Sequence, residues 1–284
     1  MRRLGLGVLL LGVSAWVLPA TSASAFEGTL KWRLVRVDKA AIGKVSGDAS
    51  DAKKVFAVPM ATLMSMHGEA QVTEATVFVK GSKVRTDTTA RDGQSYFITD
   101  LDTGVTLVVT PAEKKVMEIG EEDVRAMEGH AAATKKLLES RKKGSPGRGA
   151  AADPEADAIQ AVPLGRTETI SGMPTSAYEL QGSDVAILGW VTAEHPDVLA
   201  LFKRLERNRA KMGSHTDAMK PKEALAQQGL PVRVQTLDQR QYLVEDLVQV
   251  DEKPVSDDLF LVPADFARTS ARQLMQRAGQ LKKP

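Results

Sequence analysis

Val72-Thr73-Glu74-Ala75-Thr76-Val77-Phe78-Val79, Lys80-Gly81-Ser82 and Lys83-Val84-Arg85-Thr86-Asp87-Thr88 are two β-rich runs joined by a glycine turn, and they set the fold of this chain. The pattern repeats downstream. Tyr96-Phe97-Ile98-Thr99 is a third strand, closed by Asp100-Leu101-Asp102-Thr103-Gly104. Residues 105–110 form a fourth strand, Pro111-Ala112-Glu113 a turn, and residues 115–119 a fifth strand. Parallel neighbours need crossovers of a dozen residues or more, and none fits between these runs, so the segment is an antiparallel meander.

Upstream, residues 26–37 read as the opening strand. Leu30, Trp32 and Leu34 alternate on one face, and then Val35 and Val37 shift the phase. The shift predicts either a bulge or a strand covered on both sides. Residues 38–51 read as a polar loop. Residues 52–66 carry Val55, Phe56, Met60, Leu63 and Met64 at helical spacing, with a break at Pro59.

Downstream, residues 121–143 form a helix that is acidic at its start and basic at its end. Residues 144–157, rich in Gly, Ala and Pro, form a linker with nothing to bury in a core. Strands then resume at 166–170, 175–180 and 184–192. An amphipathic helix follows at 196–212, a short one at 221–228, and a last hairpin at 232–237 and 242–250. Phe260, Pro263 and Phe266 lie in a packed closing loop, and 269–283 reads as a weak terminal helix. The expected fold is mainly β with α: one curved antiparallel sheet, an open half-barrel, with helices covering its concave face.

The first residues give a location. Arg2 and Arg3 precede an apolar run from Leu4 to Leu18, and Ala23-Ser24-Ala25 supplies a small-x-small cleavage pattern. This is the grammar of a secretory signal peptide cleaved between Ala25 and Phe26, which places the protein in the periplasm. The chain has no cysteine, so it offers no lipid-attachment thiol, disulfide or thiolate metal ligand. The mature product is expected without a permanent membrane anchor. There are 38 basic and 36 acidic residues overall, and without Arg2 and Arg3 the two counts are equal. That balance gives no electrostatic case for nucleic acid.

The inventory of reactive groups is thin. His67, His130, His195 and His215 fall in unrelated contexts, and neither H-E-x-x-H nor G-x-S-x-G occurs. Asp100 and Asp102 are explained by their turn. Gly144-Ser145-Pro146-Gly147-Arg148-Gly149 follows a helix and does not have the strand–loop–helix context of a phosphate loop. No enzyme, catalytic residue or cofactor is expected. Met60, Met64, Met66 and His67 are soft donors of the kind that suit Cu(I) in an exported protein. The same methionines also suit an adaptable core or a flexible lid, and no metal site is assigned to them.

Several short motifs occur in a telling order: Phe26-Glu27-Gly28-Thr29-Leu30, Lys80-Gly81-Ser82-Lys83-Val84-Arg85, Tyr96-Phe97-Ile98-Thr99-Asp100 followed by Pro111, Gly189-Trp190-Val191-Thr192, Gly229-Leu230-Pro231-Val232 and Leu259-Phe260-Leu261-Val262-Pro263. Together they resemble the LolA/LolB-like (LppX-like) superfamily of periplasmic lipoprotein carriers, and most closely its uncharacterised members, domains of unknown function. The resemblance implies a half-barrel domain over residues 26–267, with an insertion at 38–71, the linker at 144–157 and a tail at 268–284. It implies an apolar cavity and a non-catalytic role in binding or carrying a hydrophobic ligand, a lipid or acyl chain. Trp32, Phe78, Tyr96 and Trp190 are candidates to line that cavity, with Met60 and Met64 beside them. The alternative is an envelope-assembly partner protein that carries no ligand.

Overall fold

The pairing of the first strand with one more than two hundred residues away organises the sheet. The computed structural model describes residues 25–90, 93–125, 159–182, 185–211 and 220–273. The expected leader to residue 24, the linker 144–157, most of the expected 121–143 helix and residues 274–284 lie outside them. Strand β1 (Gly28–Asp38) lies between β2 (Ala70–Lys80) and β11 (Gln241–Asp251), antiparallel to both. From β2 the meander runs through β3 (Lys83–Ala90), β4 (Gly93–Asp100), β5 (Thr106–Thr110) and β6 (Lys115–Ile119). From β11 a second meander runs back through β10 (Leu230–Leu237), β9 (Ala186–Thr192), β8 (Met173–Gln181) and β7 (Gln160–Ile170). The twelve strands form one open sheet in the order β12-β6-β5-β4-β3-β2-β1-β11-β10-β9-β8-β7. The fold is thus mainly β, as the sequence predicts.

Strand β12 (Ala267–Ser270) pairs in parallel with β6 at the sheet edge. Residues 268–270, expected in a tail or terminal helix, are therefore strand, and helix begins only at 271. The link from β11 to this edge crosses the outer face. Phe260 is buried there with Tyr96, Ile98, Val109 and Val116. Arg85 Nη1 donates to the Leu259 carbonyl at 2.7 Å, and Lys80 Nζ lies 3.0 Å from Asp257 Oδ2.

The turns form for local reasons. Asp100 Oδ1 accepts from the amides of Asp102 and Thr103 at 2.9 and 3.2 Å, as its turn position requires. Ser171 and Gly172 both have positive φ, 52° and 83°, and join β7 to β8 in a two-residue hairpin. Gly28 has φ 152°, and a Cβ there would stand 2.1 Å from the Asp251 carbonyl oxygen, so glycine opens β1 for want of space.

Helices occupy both faces of the sheet. The insertion 38–71 supplies α1 (Lys39–Ser46), α2 (Ala52–Phe56) and α3 (Met60–Ser65) before β2 begins at Ala70. Pro59 separates α2 from α3 as the residue preceding the second helix. Asp51 caps α2 through the Lys53 and Lys54 amides at 3.0 and 3.4 Å. These helices pack on Val35, Val37, Leu237, Tyr242 and Val244. Tyr242 is fully buried, and its hydroxyl accepts a hydrogen bond from Gln235 Nε2 at 2.6 Å. Burial pushes that hydroxyl well above the usual phenol range, and the Gln235 hydrogen bond offsets it only partly.

Helices α4 (Pro196–Lys211) and α5 (Lys220–Ala226) lie over the opposite, concave face. The expectation of helices on the concave side thus holds for α4 and α5. The insertion helices instead cover the outer face, because Val35 and Val37 alternate with the inward-facing Leu34 and so point outward.

Helix α5 is seated by Gly189 of β9. A Cβ at that position would lie 2.4 Å from both methyls of Leu225, a fully buried side chain. Gly189→Ala must therefore displace α5 and is expected to destabilise the protein by about 1–2 kcal/mol, by overpacking. Urea melts of the two proteins provide the measurement, and equal midpoints would refute the seating.

Candidate functional site

The inward residues of β1–β5 follow from the register. Leu30 faces Val77, Trp32 faces Ala75, Val84 faces Thr99 and Thr86 faces Phe97 across adjacent strands. One strand further, Thr99 faces Thr106. All nine line a cavity of about 1170 Å³ between the concave sheet and helices α4 and α5. Helix α4 closes one side through Phe202 and Leu205, and α5 closes another through Ala226. Trp32 and Phe202 meet edge to face, with ring centroids 5.4 Å apart and planes at 81°.

Helix α4 is tied to the far wing of the sheet. Arg204 forms an ion pair with Asp102 in the β4–β5 turn, and Asn208 Nδ2 donates to the Leu101 carbonyl at 3.3 Å. Val198 and Leu201 of the same helix are buried in the core with Leu30, Val79 and Val84. The helix therefore spans the cavity with its apolar stripe inward.

The cavity wall is less polar than its threonines imply. The Thr99 and Thr106 hydroxyls hydrogen-bond each other at 3.0 Å, and Thr88 Oγ1 donates to the Ser95 carbonyl at 3.3 Å. A hydroxyl satisfied within the sheet demands no partner from the cavity's occupant. Charged groups stand at the helical side: Lys203, Glu206 and Arg207 on α4, Lys222 and Glu223 on α5, and Glu245 on β11. Lys222 Nζ is 2.6 Å from Glu245 Oε2, so that pair is mutually neutralised.

Of the six residues selected from sequence, Trp32 lines this cavity. Phe78 and Tyr96 face outward. Tyr96 stacks under the Arg85 guanidinium at 3.9 Å from its ring centroid, and Phe78 packs against the same outer cluster. Trp190 is buried opposite Ala177 and Arg233, with the Arg166 guanidinium 5.5 Å from its ring centroid. Met60 and Met64 belong to α3 on the outer face, where Met60 packs on the core, Met66 is buried and Met64 is exposed. The physical reason is alternation: successive residues of a strand point to opposite faces, and residue size does not reveal which face is concave.

Phe97 is the clearest omission. It lies next to Tyr96, faces the cavity and is 37% exposed, an unusual state for a large apolar ring in mid-strand. Its partner across the ladder is Thr86, whose own neighbour Val77 faces Leu30, so only the register could single it out.

Among the described residues, no helix is long and apolar enough to cross a membrane. No curated protein matches the chain. The solved structure of PNGF-II in the C2 space group is similar over 89% of this chain and 33% of that one, at 9% identity and a TM-score of 0.35. The chain thus spans about a third of that protein's length. The model of the DUF4412 family, a domain of unknown function, matches residues 58–266, well over half the sequence. By that match the chain belongs to the DUF4412 family.

Proposed function

We propose that this is a periplasmic, non-catalytic protein that binds or carries a hydrophobic ligand, a lipid or acyl chain, between its concave sheet and helices α4 and α5. The observation that carries this reading is the cavity of about 1170 Å³ walled by Leu30, Trp32, Val77, Val84, Phe97 and Phe202. An apolar chain entering it gains by leaving water, at about 25 cal/mol per Å² of surface removed. No reacting group is needed for that gain. The open antiparallel half-barrel with helices over its concave side is also what a LolA/LolB-like architecture would present, and we assign the chain to that superfamily as part of the same proposal. Export follows from the reading of residues 1–25 as a cleavable signal. The buried Phe26 ring, packed with Leu30 and Val79, then begins the mature chain and stays in the core.

Native mass spectrometry of protein purified from its own envelope is expected to show a co-purifying lipid mass. Delipidated protein is expected to take up a fluorescent fatty-acyl probe with saturable affinity. Protein that arrives empty and takes up no probe would overturn the reading.

A further inference from the structure

Charge is divided unevenly around the cavity mouth, and the division selects among hydrophobic ligands. The argument rests on the proposal above that an apolar chain occupies the cavity. On the α5 side the Lys222–Glu245 pair cancels. Glu223 sits in the first turn of α5, where the positive end of the helix favours a carboxylate. On the α4 side Asp102 is taken by Arg204, and Glu206 is engaged as well.

Lys203 and Arg207 remain. They stand four residues apart, which puts them on one face of α4 beside the Phe202–Glu206 row. Both are exposed at the cavity rim, and neither makes an ion pair or hydrogen bond among the described residues. Two unpaired cations thus border a trough whose wall hydroxyls are already satisfied.

We infer that the occupant is an anionic amphiphile, its hydrocarbon chain in the trough and its carboxylate or phosphate head against Lys203 and Arg207. The chain supplies affinity by burial, and the head supplies selectivity through two charge-assisted contacts at the rim. Because those contacts are solvent-exposed, the selectivity weakens with added salt.

The test measures binding of four amphiphiles with the same saturated chain, each below its micelle concentration: palmitate, hexadecyl phosphate, hexadecanol and hexadecyltrimethylammonium. At low salt, palmitate or hexadecyl phosphate is expected to bind about tenfold more tightly than hexadecanol, with the ammonium weakest. The order of the two anions tells a carboxylate site from a phosphate site. In the Lys203→Ala, Arg207→Ala protein the anions are expected to fall to the level of hexadecanol, and hexadecanol itself to bind as before. Hexadecanol or the ammonium binding as tightly as both anions would overturn the inference while leaving the hydrophobic-ligand reading intact. A preference for anions that survives the double substitution would overturn the assignment to Lys203 and Arg207. Failure of all four to bind folded protein, judged by circular dichroism, would overturn the hydrophobic-ligand reading and this inference together.

Discussion

Asp246→Ala is expected to destabilise the fold by about 3–5 kcal/mol, because it strips the partner from a buried guanidinium. Asp246 lies on β11 facing Arg233 of β10, and its two oxygens accept from Arg233 Nε at 2.6 Å and Nη2 at 3.0 Å. The side chains are only 4% and 18% exposed. Burial by itself would weaken the charge on Arg233, but the hydrogen bonds to Asp246 and its negative charge outweigh burial and hold the guanidinium above its ordinary pKa. With Asp246 gone, the same charge stays buried and uncompensated. At a few degrees per kcal/mol for a protein of this size, the melting temperature should fall by roughly 10 °C.

Replacing both partners together, as Arg233→Met with Asp246→Leu, removes the charge along with its partner and should recover most of that loss. A double-mutant cycle in urea measures the difference. If the single and double variants lost stability equally, the pair would not be the source of the effect.

The local part of this fold was legible in the sequence, and the long-range part was not. Strands β2 to β6 follow one another through turns marked by Gly81, Gly104 and Pro111, so short-range chemistry specified them. The join between β1 and β11 has no such signal. It unites segments separated by more than two hundred residues, and no motif in either names the other. The phase change in β1 left two explanations open, a bulge or cover on both sides. The register decides for cover: β1 pairs with β2 without interruption, so Leu30 points to the concave core and Val35 to the outer one. An irregularity does exist, but the extra residue lies on the partner strand. Lys31 pairs with Gln249 and Trp32 with Leu247, which leaves Val248 of β11 unpaired.

The same limit governed the site. Trp32 was selected for its size, and the register also turns it inward. Tyr96 was selected for its size as well, but a one-residue step in the strand gives the cavity Phe97 instead. The smaller wall residues, Ala75, Thr88 and Thr106, carry no sequence mark at all. They matter through position, because small side chains on the concave face are what leave the space open.

That last point has a measurable consequence at Ala75. Its Cβ faces the cavity from β2, opposite Trp32 on one side and Thr88 on the other. An indole placed there projects into space that a bound chain would fill. If it excludes two or three methylenes, at about 0.8 kcal/mol each, affinity for an acyl probe falls by about 2 kcal/mol, or roughly thirtyfold. Ala75 is only half-buried and its side chain points into open volume, so Ala75→Trp should change stability by less than about 1 kcal/mol. Thr76→Trp provides the matching control. It adds a similar bulk one residue along, on the opposite face of the same strand, and should leave probe binding unchanged. Titrating the fluorescent acyl probe into both variants separates a concave-face site from every alternative on the outer face. Full binding by Ala75→Trp with loss in Thr76→Trp would move the site to the other side of the sheet.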